Sequence, residues 1–275
     1  MAQNPLQQYF RQPKIFLKLP SLGAYYNPDA ISGDIENLPI FGMTGMDQII
    51  AKTPDALISG ESTVKVIESC CPSFKDAWQI SSIDIDCMLV AIRMATFGKL
   101  YSVGHECGGC HELNDYDIDL TAFIDHFSKC TFQSKIVYND LIIRIKPLSY
   151  KQATDYNLEN FSLQRQLMQL DKIQDEDEKK KILSSIFIDL GTLQNKILLA
   201  SIESVETPLG VVTEWAFIKE WIDDSDKEVT DAIKGHLDVN SKEWKIPLSN
   251  IKCVNCGNEE VISVDLDQSN FFVEA

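Results

Sequence analysis

The sequence predicts an α+β fold, in which a helical domain carries a split ribbon formed by two Cys-x-x-Cys β-knuckles. Three observations lead to this class. Strand-like segments flank Cys107-Gly108-Gly109-Cys110 and, much later, Cys253-Val254-Asn255-Cys256. Residues 149–204, which lie between the two motifs, have a helical pattern almost throughout. With 275 residues, 44% of them hydrophobic, the chain can bury one large core or two modest ones.

Four segments are expected along the chain. Residues 1–40 are predicted to form an extended N-terminal arm, and residues 41–148 a helical core with the first knuckle. Residues 149–240 are predicted to be a helical insertion, and residues 241–275 to hold the second knuckle and a C-terminal strand. The arm should contain one short edge strand that ends at Pro20, because proline cannot donate to a strand ladder.

Capping patterns predict where several helices begin. Three segments place a Glu, Gln or Asp three residues after a Ser or Thr: Thr44-x-x-Asp47, Ser149-x-x-Gln152 and Ser225-x-x-Glu228. The last is expected to open a helix that reaches Leu237. Asn139-Asp140, between two apolar runs, predicts a hairpin turn.

The most apolar helix is predicted over residues 83–97, with Gly98 as its left-handed stop. Arg93 is the one charge in its apolar stretch. Because burying an unpaired charge is costly, Arg93 is expected to pair with a carboxylate or to cap a carbonyl, with ligand binding as the alternative.

The charge balance argues against a nucleic-acid partner. The chain has 41 acidic and 25 basic residues, a formal charge of −16, so its field repels phosphate. Its dense basic run, residues 179–181, directly follows an acidic run at residues 175–178. The helical i, i+4 spacing of these charges predicts a solvated helix face, and a phosphate-binding face is the weaker alternative.

The sequence indicates a cytoplasmic protein. Residues 1–14 are polar and lack the order of a signal peptide, and no stretch approaches the roughly 18 uninterrupted apolar residues of a membrane span. No membrane partner is expected. In such a compartment, the eight cysteines should serve as thiols and metal ligands, because cytosolic reductants keep ordinary pairs reduced.

The two Cys-x-x-Cys motifs predict one structural zinc site. Structural Zn²⁺ is held tetrahedrally by four thiolate or imidazole ligands, and one such motif supplies half of a site. We therefore predict a split zinc ribbon with Cys107, Cys110, Cys253 and Cys256 as ligands. The long separation between the motifs is tolerable because loop-closure entropy grows only with the logarithm of length.

Other ligands and other uses of the cysteines are less favoured. His105 and His111 flank the first knuckle and could replace a thiolate, but two complete cysteine pairs favour them as neighbours. A redox dithiol is disfavoured because it needs a helix N-terminus, whereas both motifs lie between strands. The other cysteines are expected to pack as small hydrophobes: Cys70, Cys71, Cys87 and Cys130.

No catalytic residues and no small-molecule substrate are expected. Four cysteines fill the zinc tetrahedron, whereas a catalytic site keeps one position open for water. The sequence also lacks a phosphate-binding loop, a His-Glu-x-x-His helix and a Gly-x-Ser-x-Gly elbow. The chain is therefore predicted not to be an enzyme.

The two knuckles look like one supersecondary unit used twice. Asp119-Leu120 follows Cys110 at the same offset at which Asp265-Leu266 follows Cys256. A second feature near the C-terminus is the apolar triplet Phe271-Phe272-Val273. These side chains need either the protein's own core or a partner in order to leave water.

Short motifs follow a recognisable order along most of the chain. They are Leu19-Pro20-Ser21-Leu22-Gly23, Met43-Thr44-Gly45-Met46-Asp47, Lys52-Thr53-Pro54-Asp55-Ala56-Leu57, Ala91-Ile92-Arg93-Met94-Ala95-Thr96-Phe97-Gly98, both cysteine pairs, and Ser269-Asn270-Phe271-Phe272. In this order the sequence resembles the baseplate proteins of T-even-type contractile-tailed bacteriophages. The likeness is clearest before Leu120 and after Trp244.

This resemblance implies a role in the baseplate hub, as a component or as an assembly chaperone, inside the infected bacterium. It implies other hub or tail proteins as partners and no enzymatic activity. A zinc-ribbon transcription accessory protein is the alternative, since it would share the zinc and the compartment. A ribbon that contacts DNA would normally carry Lys and Arg, and here only Lys99 and Lys252 lie near the knuckles.

Overall fold

The computed structural model describes residues 4–27, 29–53, 59–170, 173, 175–264, 266 and 271–272. The chain forms two compact units, one made of Met1–Thr131 with Trp244–Ala275 and the other of Phe132–Glu243. Helices and antiparallel sheets occur in both, so the predicted α+β class is confirmed. Some residues used in the sequence analysis lie outside the described residues: Pro54, Asp55, Ala56, Leu57, Asp265, Ser269, Asn270 and Val273.

The elements follow one another in this order. The described strands are β1 Ile15–Leu17, β2 Leu38–Ile40, β3 Leu100–Glu106, β4 Leu113–Asp119, β5 Lys135–Tyr138, β6 Leu141–Ile145, β7 Ile202–Thr207, β8 Gly210–Val212, β9 Ser249–Lys252 and β10 Glu259–Ile262. The described α-helices are α1 Gly45–Ala51, α2 Glu61–Cys70, α3 Ser82–Phe97, α4 Thr121–Phe127, α5 Tyr150–Gln169, α6 Glu176–Ser201, α7 Trp215–Asp223 and α8 Lys227–Glu243. Two short 3₁₀ turns cover Gln7–Tyr9 and Ala77–Gln79.

Two of the predicted capping boxes are confirmed. The Thr44 hydroxyl accepts the Asp47 N–H at 3.2 Å, and the Asp47 carboxylate accepts the Thr44 N–H at 2.7 Å. The same reciprocal pair of bonds opens α5 at Ser149 and Gln152. The third prediction differs from the structure, because the Ser225 hydroxyl donates to the Trp221 carbonyl at 2.5 Å and α8 begins at Lys227.

The first unit is built on α3. This helix is buried along most of its length, and Met88, Val90 and Ile92 are fully enclosed. It packs against α2, α4 and the β1–β2 hairpin. The buried carboxylate of Asp84 accepts the Tyr26 hydroxyl at 2.7 Å, which attaches the turn-rich part of the N-terminal arm to α3.

The C-terminal aromatic pair belongs to this core. Phe271 and Phe272 are 0% and 1% exposed. The Phe271 ring lies 5.2 Å from the Tyr101 ring, centroid to centroid. The guanidinium of Arg93 lies over both rings, 4.6 Å from Tyr101 and 5.4 Å from Phe271, so this buried charge is stacked among aromatic rings.

The second unit combines a sheet with a helical hairpin. Strands β5, β6, β7 and β8 pair in that order, all antiparallel, and the sheet packs on α7, α8 and the end of α6. The second unit begins at Phe132, whereas the insertion was expected to begin at residue 149. The unit includes β6 because this strand pairs with β7, which follows the two long helices in the sequence. Helices α5 and α6 pack on each other through a smaller core that includes Leu163, Ile186 and Leu193.

Candidate metal centre

The four predicted ligands meet at one point. Among the described residues, the sulfur atoms of Cys107, Cys110, Cys253 and Cys256 all lie within 4.8 Å of one another. The Cys107–Cys256 and Cys110–Cys253 sulfur pairs, each joining one hairpin to the other, are both 3.6 Å apart. A sulfur tetrahedron around zinc, with bonds of about 2.3 Å, has edges of about 3.8 Å. The spacing therefore fits one tetrahedral metal ion and is far too long for a disulfide of about 2.05 Å.

The two hairpins that carry these cysteines share one turn. In each, the N–H of the first cysteine donates to a carbonyl five residues later, and the residue four positions after that cysteine has positive φ. The pairs are Cys107 to Glu112 at 3.0 Å with His111 at φ 59°, and Cys253 to Asn258 at 2.8 Å with Gly257 at φ 75°. Strand register matches as well, since His105 pairs with Asn114 and Ile251 with Glu260. Each hairpin forms its own two-stranded sheet.

The first cysteine of each pair is poised to ionise. The pKa of Cys107 is lowered, chiefly because the backbone N–H groups of Cys110 and Gly109 point at its sulfur. The pKa of Cys253 is lowered to about 6, mainly by the backbone N–H of Cys256. Backbone donors of the turn thus stabilise one thiolate in each hairpin.

The second cysteine of each pair behaves in the opposite way. The pKa of Cys110 is raised to about 12, because desolvation and its three neighbouring thiols outweigh the N–H of Glu112 that lowers it. The N–H of Asn258 and the thiol of Cys110 lower the pKa of Cys256, but desolvation and the thiols of Cys107 and Cys253 outweigh them and raise it. Four thiolates so close together repel one another, and a divalent cation compensates that repulsion. The donor set therefore fits a thiophilic metal ion.

The flanking histidines contact carboxylates. His105 Nε2 lies 3.1 Å from Glu260 Oε2, and His111 Nδ1 lies 3.2 Å from Glu106 Oε1. The described metal-ligating cluster contains the four cysteines and neither of these histidines. Both are placed as neighbours of the centre.

The remaining cysteines lie elsewhere in the first unit. Cys70, Cys71 and Cys87 are buried, and burial raises the pKa of Cys70 to about 12 and that of Cys71 to about 11. Cys130 is half-buried, and its thiol donates to the His126 carbonyl at 3.4 Å. The buried thiols of Cys70 and Cys71 therefore stay protonated and pack as small side chains.

Sequence reasoning missed the polar residues that cross between the hairpins. Asn114 Nδ2 lies 3.6 Å from the sulfur of Cys253, and Asn258 Nδ2 lies 3.9 Å from that of Cys107. Glu260 accepts the Gly108 N–H at 2.9 Å. One signal could have found two of them, since Asn114 and Glu260 each stand four residues after the second cysteine of their motif.

Comparisons with known proteins place the whole arrangement in a family. No curated protein and no solved structure matches the chain. The family model described as T4 bacteriophage base plate protein matches residues 14–273, which include both hairpins and the whole second unit. The chain therefore belongs to the T4 bacteriophage base plate protein family, which gives it a structural role in the phage tail baseplate, in contact with other phage structural proteins.

Proposed function

We propose that this protein is a baseplate hub component or hub assembly chaperone, that it binds other hub or tail proteins, and that one structural Zn²⁺ closes its fold. The observation that carries the proposal is the four-cysteine cluster. It joins hairpins from the two separate chain segments of the first unit, in a chain that belongs to a baseplate family. During assembly it would act in the cytoplasm of the infected bacterium.

Zinc is the metal that this donor set favours. Four thiolates in a tetrahedron select zinc or iron–sulfur chemistry, and one ion with four protein ligands is the pattern of structural zinc. Bound Zn²⁺ would offset half of the charge of the four clustered thiolates and tie the two hairpins together. Because the four cysteines leave no position for water, we propose a structural centre and a protein that is not an enzyme.

The helical hairpin offers an apolar surface to a protein partner. Phe161 and Met168 on α5 and Phe187 and Ile188 on α6 are 58%, 77%, 61% and 66% exposed. Large exposed apolar patches mark protein–protein interaction sites, and these side chains supply apolar area for such a contact. The formal charge of −16 disfavours nucleic acid, which supports a protein as the partner.

Helix α6 is unusually long and apolar. Within the described part of the chain it is the one helix long and apolar enough to cross a membrane, and 22% of its most apolar stretch is buried. The helix also carries Asp189 and Lys196, and Lys196 pairs with Glu159 of α5 at 2.8 Å. Charged groups are costly inside a bilayer, so a protein-facing helix is the better interpretation, and no membrane partner is proposed.

The test is a pull-down of tagged protein from infected cells, analysed by mass spectrometry, together with analysis of purified tails. Recovery of hub proteins, with the chain also present in tails, supports a component. Recovery without presence in tails supports a chaperone. If the bait recovers no tail protein but retains duplex DNA at physiological salt, the transcription-accessory alternative replaces the hub proposal.

A further inference from the structure

The two knuckles differ in one informative way. The first has Gly108 and Gly109 between its cysteines, whereas the second has Val254 and Asn255. Neither Gly108 nor Gly109 has a positive φ angle. The backbone conformation of the turn therefore does not require glycine at these positions. The equivalent turn in the second knuckle accommodates side chains, and Val254 is 79% exposed. The presence of two glycines in the first knuckle therefore needs another explanation.

That cause is the close approach of the second hairpin. A Cβ atom built on Gly108 would lie 2.6 Å from Glu260 Oε1, which is closer than real contacts allow. A Cβ atom on Gly109 would lie 3.2 to 3.3 Å from three atoms of Asn258. The two glycines thus leave room for side chains that come from the other end of the chain.

Glu260 uses this room to bridge the hairpins. Its Oε1 accepts the N–H of Gly108 at 2.9 Å and the side-chain amide of Asn258 at 3.1 Å. Its Oε2 lies 3.1 Å from His105 Nε2 on β3. The side chain is only 24% exposed, and hydrogen bonds from backbone N–H groups to carboxylates are about twice as strong as neutral ones.

A reciprocal contact comes from the first hairpin. Asn114 stands at the position equivalent to Glu260, and its Oδ1 accepts the Asn255 side-chain amide at 3.1 Å. Its Nδ2 lies 3.6 Å from the sulfur of Cys253. Each hairpin therefore contacts the knuckle of the other through a side chain at the same strand position. None of these contacts is a bond to the metal ion.

We propose that Glu260 is the positioning residue that docks the C-terminal hairpin on the hairpin of β3 and β4, and that Gly108 is glycine in order to admit it. Docking sets the four sulfur atoms at metal-binding distance before the ion arrives. The inference rests on the proposed zinc site. Residues that orient metal ligands without binding the metal commonly change metal affinity by about 10- to 100-fold when they are replaced.

The first test measures zinc affinity of the full chain by competition with a chromophoric chelator. Glu260→Ala should weaken affinity by about 10- to 100-fold, whereas Glu260→Gln keeps an oxygen for the Gly108 N–H and should stay within about 3-fold of wild type. Gly108→Ala should weaken affinity similarly, and its matched control Val254→Ala should not. In the Gly108→Ala/Glu260→Ala double variant the two losses should not add, because the clash is gone.

A second readout needs no zinc. In a Cys110→Ser/Cys253→Ser variant, Cys107 and Cys256 remain 3.6 Å apart, and diamide should join them in a disulfide that mass spectrometry identifies. Adding Glu260→Ala should slow this cross-link by about tenfold, which is the lower end of the range expected for affinity. Unchanged cross-linking, unchanged zinc affinity in Glu260→Ala, or fully additive losses would overturn the positioning role. If the wild-type protein binds no zinc, the proposed metal site is wrong. The rate of the disulfide cross-link would then still test whether Glu260 positions the two hairpins.

Discussion

Replacing Cys256 by serine separates the metal's contribution from ordinary packing. Cys256 is exposed, so Cys256→Ser removes little buried surface while it takes away one of the four thiolates. A metal that ties two hairpins whose cysteines are 143 residues apart, as Cys110 and Cys253 are, acts like a cross-link closing a loop of more than about 100 residues, which is worth about 4.7 kcal/mol. At about 2 to 4 °C per kcal/mol, the melting temperature should fall by roughly 10 to 20 °C.

The matched control is Cys130→Ser. The Cys130 thiol is half-buried and donates to the His126 carbonyl at 3.4 Å, a bond that a serine hydroxyl can replace. Its loss should cost about 1 kcal/mol or less. Calorimetric scans of wild type, both variants and wild type with excess chelator check the reasoning, and chelated wild type should melt near Cys256→Ser. Equal decreases in melting temperature in the two variants would contradict this assignment. A wild-type melting temperature that does not change when chelator is added would also contradict it.

Three further outcomes are expected. Phe271→Ala should lower the free energy of unfolding in urea by about 3 to 5 kcal/mol, because the ring is fully buried; an unchanged value would point to a partner-docking role. Replacing residues 175–181 by a Gly-Ser linker should remove the Asp175 cap and the first turns of α6 at a cost of a few kcal/mol and leave zinc content intact, and a collapse of soluble yield would contradict this. Burial raises the pKa of the Asp86 carboxyl to about 6. The folded protein therefore binds this proton more tightly than the unfolded chain does. Protonation of Asp86 stabilises the fold below about pH 4, and this stability is lost as the pH rises through about 6. Asp86→Asn should therefore be more stable than wild type by about 2 to 3 kcal/mol at pH 7, with no difference at pH 4.

Local signals in the sequence predicted local structure well. The capping boxes at Thr44 and Ser149 and the hairpin at Asn139-Asp140 each depend on residues a few positions apart, and each is present. Helix α3 also ends at Gly98, but with φ 95° and ψ −178°, which lies outside the left-handed helical region that the pattern predicted. The Ser225 pattern failed because a serine hydroxyl near a helix end can also bond back to a carbonyl four residues earlier, as it does at Trp221.

Long-range pairing was beyond the sequence. The register that joins β6 to β7 across two long helices sets the start of the second unit, and no short motif encodes it. The cysteines could be grouped because zinc needs four ligands and the sequence offers two pairs. The contacts of Glu260 and Asn114 depend on how one hairpin lies against the other, so they emerged only with the structure.

The central claim is one structural zinc held by Cys107, Cys110, Cys253 and Cys256. Elemental analysis of purified full-length protein tests it directly, with X-ray absorption to identify the ligand atoms. We expect close to one zinc per chain, with four sulfur neighbours at about 2.3 Å. No zinc, two zinc ions per chain, or a nitrogen in the ligand shell would contradict it.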